Sequence, residues 1–270
     1  MAKQPRDARL VPTRRLDPRP AADARAAPIA GAVNVPLDQL PQRTHELPPR
    51  DCEIAVVGPP ALARRAVALL RDLGRRARVD AGDTRPPRTD DIDARRRLWT
   101  PTAFLEQCAA EMTPRRALDC ACGAGRDAVY LADAGWSVVG VDVLPDALAR
   151  AGDLARRYLT NPARVEWRRL DLETLKDDAF EGDAFDLITT FRYLHRPLFE
   201  RIRRWLRPGG SLLVETFTTE HRRRHGKPNR DAFVLRPGEL RELLAGLELR
   251  HYSEDWRGEA HTARAWATKP

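Results

Sequence analysis

Two short segments constrain this chain more than any other feature. Residues Leu118 to Asp127 read Leu-Asp-Cys-Ala-Cys-Gly-Ala-Gly-Arg-Asp, and Val138 to Asp142 read Val-Val-Gly-Val-Asp. The first is an apolar run with an acid, then small residues and glycines, then a helical pattern through Ala128, Val129, Leu131 and Ala132. That order predicts a strand, a tight turn and a helix, which lets the backbone approach a nucleotide-like ligand closely. The second segment predicts an apolar strand with Asp142 at its carboxyl end. Ligands bind at that end of an open parallel sheet, and an acid there suits the two hydroxyls of a ribose. Together the segments predict an adenosine-containing cofactor on an α/β sheet.

The spacing bears on which cofactor. A dinucleotide fold wants Gly-x-Gly-x-x-Gly, and counting from Gly123 and Gly125 places Ala128 at the third glycine. An acid-x-Gly-x-Gly-x-Gly loop fits better, with Asp119 as the acid and Ala121 in place of the first glycine. At this point the chain resembles class I S-adenosylmethionine-dependent methyltransferases. The resemblance continues in order through Leu170-Asp171-Leu172 after a strand-like Val165-Glu166-Trp167, then Phe185 to Thr190 as a fourth strand. It ends with Leu206-Arg207-Pro208-Gly209-Gly210, a Pro-Gly-Gly turn into a fifth strand. It covers about Trp99 to Pro270 and implies a Rossmann-like methyltransferase sheet closed by an antiparallel hairpin. The hairpin strands are expected at Leu247 to Tyr252 and Thr262 to Thr268.

The N-terminal part reads as a smaller α/β domain. Glu53 to Val57 is a strand, Ala61 to Leu73 a helix ended by Gly74, and Arg76 to Val79 another strand. Leu16-Asp17-Pro18-Arg19 and Ile29 to Leu37 resemble the opening Asp-x-Arg and the Gly-Ala-x-Asn segment of rhodanese-like domains. Gly58-Pro59-Pro60 then stands where that family begins the loop bearing its sulfur-accepting cysteine, and Cys52 lies at the wrong end of the strand. Without a thiolate there is no nucleophile to carry a persulfide, so this domain is expected to be inactive and to serve packing or a protein partner. The boundaries read are 1–82 for this domain, 83–97 for a Pro-rich charged linker, and 98–270 for the methyltransferase domain. A helix is expected from Pro101 to Met112, capped by Thr100, with others at Pro145 to Tyr158 and Arg196 to Leu206.

The resemblance assigns roles residue by residue. Asp142 would accept both ribose hydroxyls, with Val143 beside the adenosine, and Asp171 would accept from the adenine amino group, with the Leu172 amide donating to the ring. Ala121, Cys122, Gly123 and Gly125 form the loop around the methionine part, and Asp119 can bond the loop amides or the cofactor ammonium. Arg126 either forks onto the cofactor carboxylate or is an exposed helix arginine. Thr190 and Phe191 would line the sulfonium end. Methyl transfer is an in-line displacement, so catalysis is mainly alignment, and only an oxygen or nitrogen acceptor needs a base. His195 and Arg192 are the candidates for such a role.

The net charge of +8 invites a nucleic-acid partner, but only Lys3, Lys176, Lys227 and Lys269 are lysines. An arginine bias along the whole chain fits a GC-rich codon preference as well as a polyanion partner. No apolar stretch approaches the ~20 residues of a membrane span, and no secretory h-region opens the sequence. The four cysteines, Cys52, Cys108, Cys120 and Cys122, lack framework or zinc spacing. They read as packed thiols in a cytoplasmic protein, with no metal. The Gly123-Ala124-Gly125-Arg126-Asp127 loop and the segment Tyr193 to Phe199 resemble those of tellurite-resistance and thiopurine methyltransferases, which implies methyl transfer to a small molecule such as a thiol or chalcogen oxyanion. The alternatives are an RNA- or ribosome-directed methyltransferase and a non-enzymatic protein that keeps the cofactor fold.

Overall fold

The computed structural model describes residues 10–82, 95–175 and 179–270. Most of the expected linker, 83–94, lies outside them, as do residues 1–9. Two compact units divide at Thr100.

The first unit holds a four-stranded parallel sheet of order β3-β2-β4-β5, from β2 (Arg15–Asp17), β3 (Ala32–Asn34), β4 (Glu53–Val56) and β5 (Arg76–Val79). Helix α1 (Ala21–Ala26) is short, and α2 (Pro60–Asp72) buries Ala63, Ala66, Val67 and Leu70 against the sheet. Gly74 ends α2 with φ +71, the left-handed turn that a glycine makes at least cost. The Asp17 carboxylate forks onto Arg19 at 2.7–3.1 Å, and the Asn34 amide donates to the Asp17 and Arg19 carbonyls. Thus the segments around Asp17 and Asn34 form one hydrogen-bonded corner. Arg96 and Arg97 pair as β6 with β1 (Val11–Pro12), and Leu98 packs into this unit's core. The end of the expected linker and the first residue assigned to the second domain therefore belong to the first unit.

The second unit is a seven-stranded mixed sheet of order β12-β13-β11-β10-β7-β8-β9. Its strands are β7 (Arg116–Cys120), β8 (Ser137–Asp142), β9 (Val165–Arg169), β10 (Phe185–Phe191), β11 (Leu206–Phe217), β12 (Glu248–Arg257) and β13 (Ala260–Thr268). Five strands are parallel, and β12 and β13 close the sheet antiparallel. Strand order runs outward from β7 in both directions, which puts the topological switch point between β7 and β10. Helix α4 (Arg126–Asp133) follows β7 and α5 (Pro145–Tyr158) follows β8. All four apolar positions read in α4 are buried, among them Leu131.

Several boundaries moved for identifiable reasons. Helix α3 spans Ala103–Ala109, not Pro101 to Met112, and Thr102 replaces Thr100 at its start. Thr102 does not cap α3, because its amide and hydroxyl both donate to Asp127. Helix α6 (Leu198–Trp205) begins two residues late because Pro197 occupies the cap and the Leu198 amide bonds the His195 carbonyl. Pro208-Gly209-Gly210 lies inside β11, at a register shift against β10. A methyl on Gly210 would stand 2.8 Å from the Arg207 carbonyl and 3.0 Å from that of Phe185, so the bulge requires a glycine. The closing hairpin is longer than its apolar pattern suggested, because β12 is an exposed edge strand that tolerates Ser253, Glu254 and Asp255. The arginine-rich stretch after β11 contains helix α7 (Thr219–His225).

Candidate cofactor and acceptor site

The carboxyl ends of β7, β8, β10 and β11 share one edge of the second unit. At its centre Asp119 of β7 pairs in register with Thr189 of β10, whose hydroxyl donates to Asp119 Oδ1 at 2.9 Å. Asp119 Oδ2 is buried without a hydrogen-bond partner. Burial, reinforced by nearby Asp127, pushes the Asp119 pKa well above the usual carboxylate range, against the Thr189 hydroxyl and the Ala128 amide. A buried acceptor left open in a folded protein calls for a reason, and a cationic ligand group is one.

The loop from Cys120 to Gly125 is held from below and from the side. The Cys122 amide donates to the Val141 carbonyl and the Gly125 amide to the Cys122 carbonyl, both at 2.9 Å. Asp142 Oδ2 accepts from the Gly123 amide at 2.8 Å and Oδ1 from the Leu144 amide at 2.9 Å. Ala121 takes φ +55, a left-handed turn that costs a residue other than glycine about 1–2 kcal/mol. Gly123 faces open space, with nothing within 4 Å of an added methyl, as close ligand approach needs. Gly125 has a packing reason instead: a methyl there would come within 2.6 Å of the Trp167 ring and 2.7 Å of Ala151. Val143 and Leu144, just past Asp142, are exposed apolar residues at 46% and 58%.

Arg126 opens α4 and faces Asp127 electrostatically. Asp127, which pattern reading passed over, has its pKa raised by burial while the Thr102 amide and hydroxyl oppose. Its place in the first turn of a helix suits an acid, and that is the signal the sequence carried. Asp171 follows β9, with the Glu173 amide donating to Oδ1 at 2.9 Å. That bond, then the Thr174 hydroxyl, lowers its pKa, and His195 adds to the effect. Leu172 is buried. Burial and the charges of Glu173, Asp171 and Asp142 push the Tyr193 phenol up, which sets this ring among the predicted site residues.

At the end of β10, Thr190 and Phe191 are buried. Arg192 has φ +58 and donates its amide to the Glu215 carbonyl, and its guanidinium lies 4.4 Å over the Phe217 ring. His221 stacks on Phe217 at 4.1 Å, and its Nδ1 accepts from the His261 amide at 3.3 Å. Burial, then His225, Arg192 and His261, lowers the His221 pKa. Arg222, Arg223 and Arg224 each face a carboxylate, of Asp231, Glu220 and Glu259 respectively. Arg192 has no carboxylate partner among the described residues. Burial pushes the thiols of Cys120 and Cys122 up, so both are protonated packing groups. No cluster of three or more His, Cys, Asp or Glu side chains suited to a metal occurs among the described residues.

Residues 117–210 match the family described as "Methyltransferase domain". Mouse glycine N-methyltransferase is 29% identical over 138 residues, which cover 46% of this chain and 47% of that protein. The chain thus spans about half the length of the curated relatives it matches. TehB from Haemophilus influenzae superposes with a TM-score of 0.51 at 19% identity, over 63% of this chain and 64% of that one. The N-methyltransferase NodS from Bradyrhizobium japonicum gives 0.50 at 20%, over 63% and 93%. These likenesses agree with the switch-point geometry, the loop around Gly123 and the acid closing β8. The match to the methyltransferase-domain family over residues 117–210 and the fold shared with these two structures both fall on the second unit.

Proposed function

We propose that the chain transfers the methyl group of S-adenosylmethionine to a small-molecule acceptor. The observation that carries the reading is Asp119 Oδ2, a buried carboxylate oxygen open at the switch point. It fits the cofactor's ammonium, and Gly123 leaves room beside it. Asp142 spends one lone pair of each oxygen on the Gly123 and Leu144 amides, which leaves capacity for two ribose hydroxyls. Val143 and Leu144 offer apolar surface to the adenosine, Asp171 and the Leu172 amide take the adenine edge, and Arg126 reaches for the carboxylate. Thr190 and Phe191 border the sulfonium end.

The cofactor supplies an electrophilic methyl on a cationic sulfur. When bound it would give that methyl to the acceptor's lone pair and keep the carbon–sulfur electron pair on its own sulfur. Residues at the β10 and β11 ends align the acceptor with that axis, the effect on which such a reaction chiefly depends. Arg192, without a carboxylate of its own, holds an anionic acceptor, whereas the neighbouring arginines are already paired. A thiolate or chalcogen oxyanion then needs no base, and a protonated acceptor would pass its proton to His195. A second reading, an amino acid acceptor methylated on nitrogen, is favoured by the similarity to glycine N-methyltransferase. Its carboxylate would engage Arg192 in the same way.

In this reading the first unit is a degenerate rhodanese-like module. Its parallel sheet and the Gly58-Pro59-Pro60 loop after β4 support that assignment, and incubation with thiosulfate and cyanide should yield no thiocyanate. The decisive test of the whole reading is calorimetric titration with S-adenosylmethionine, followed by a screen of thiols, selenite, tellurite, glycine and RNA as acceptors. Saturable cofactor binding with turnover on one of the small molecules is expected. Absence of cofactor binding would leave a scaffold, and turnover on RNA alone would overturn the small-molecule assignment.

A further inference from the structure

The first unit contains a cavity of about 680 Å³, within the range of sites that take small organic ligands. It opens at the carboxyl ends of β2, β4 and β5, bounded by the segments that follow them at Arg19, Gly58 and Asp80. Open α/β sheets bind ligands at that end. The walls are mainly apolar and stiff: Pro28, Ile29, Pro59, Pro60 and Val79 face the space. No cysteine lines it.

Three charged side chains line the cavity, and their partners decide what it takes. Arg19 is neutralised by the Asp17 fork and donates further to the Ala27 carbonyl at 2.7 Å. Asp80 is met by Arg15 at 3.3 Å and Arg78 at 3.8 Å, and accepts from the Gly82 amide. Arg64, in the first turns of α2, has no carboxylate partner among the described residues. One positive charge without a carboxylate partner thus borders an otherwise mainly apolar space. We infer that this cavity is a binding site for an apolar monoanion, such as an aromatic carboxylate or sulfonate, held by Arg64 and stacked on the proline walls. The site is independent of the methyl-transfer reading of the second unit.

The test uses the full chain with 8-anilinonaphthalene-1-sulfonate, an apolar body bearing one anionic group, followed by its fluorescence. Saturable one-to-one binding is expected, displaced by benzoate and not by S-adenosylmethionine. Arg64→Glu should weaken it about tenfold or more, the loss of one charge-assisted contact. Ala27→Trp, which fills the cavity mouth from an exposed position, should abolish it. Arg65→Glu makes the same charge change one residue away, outside the lining, and should leave affinity within about twofold. Displacement by S-adenosylmethionine, equal effects of the Arg64 and Arg65 variants, or retained binding after Ala27→Trp would each overturn the assignment.

Discussion

Asp119→Asn separates the cost of the site to the fold from its benefit to the ligand. The substitution keeps the side chain's shape and an acceptor for the Thr189 hydroxyl at Oδ1, and it replaces the charged, open oxygen by a neutral NH2 group. In the free protein that charge is a burden. Asp119 is 3% exposed, one oxygen has no partner, and Asp127 and Asp142 add repulsion. Leaving a buried acceptor unsatisfied costs about 1–3 kcal/mol, and more when it is charged. Relief of that order raises Tm by roughly 2–4 °C per kcal/mol in a unit of this size.

The pH dependence gives the sign independently. A carboxyl whose folded pKa lies above its unfolded value makes its full contribution to stability below the unfolded pKa, ~3.9, and loses it as pH rises through the folded pKa. The variant lacks this loss. Its Tm advantage without cofactor should therefore vanish near pH 4 and widen toward neutrality. Cofactor affinity should fall in the opposite sense, by about tenfold to a hundredfold, for one charge-assisted hydrogen bond to an ammonium. Differential scanning calorimetry from pH 4 to 8, with titration calorimetry for S-adenosylmethionine, reads both. A variant less stable than the parent at neutral pH, an advantage that does not grow with pH, or unchanged affinity would refute the assignment of Asp119.

Asp142→Ala should weaken cofactor binding about tenfold to a thousandfold, since two charge-assisted bonds go. It should also lower Tm, because the Gly123 and Leu144 amides lose their acceptors. Arg192→Met should raise the KM of an anionic acceptor about tenfold or more at unchanged cofactor affinity. His195→Ala should lower kcat only for acceptors that must shed a proton, and steady-state kinetics on the acceptors identified separates the two. Arg196 holds Glu239 at 2.7–2.9 Å and pulls its carboxyl down to about 2. That stabilisation is present above the unfolded pKa of ~4.3 and is lost as pH falls toward 2, so Arg196→Met should cost about 2 kcal/mol near neutrality and little in acid, measured by urea unfolding.

The strands and helices around the candidate site were legible because each carries a local signal. Val138 to Val141 carries no polar side chain, as a strand covered on both faces must, and α5 begins at Pro145 and ends at Tyr158 as its pattern predicts. The acids and glycines of the loop were legible too, although for Gly125 the packing reason depends on Trp167, some forty residues away. What stayed hidden depends on tertiary partners. Thr102 could not be known to serve Asp127, nor Arg222, Arg223 and Arg224 to face three separate carboxylates. The cavity beside Arg64 needs three strand ends, which no single segment announces. Pairing also extended β12 through charged residues, since an edge strand needs only one neighbour.

Trp167 links the sheet to the loop, and two glycine substitutions isolate its part. A methyl on Gly140 would stand 2.5 Å from the Trp167 ring and 3.4 Å from Cys122 Sγ. Gly140 is buried in β8, so its backbone cannot retreat, and the half-buried ring must tilt. The ring also lies against Gly125, at the point where the loop enters α4. Displacing it moves the loop as well as the sheet. Gly140→Ala should thus cost about 1–3 kcal/mol of stability and weaken cofactor binding together, as overpacking does. Gly123→Ala meets nothing within 4 Å, and its strain at φ +55 is about 1–2 kcal/mol. Its added methyl, however, stands in the space assigned to the cofactor. Affinity should then fall further than stability does, so that S-adenosylmethionine raises the Tm of Gly140→Ala but scarcely that of Gly123→Ala. If the cofactor stabilises both variants equally, the open side of Gly123 is not the approach path, and the methionine part must lie elsewhere along the β7 edge.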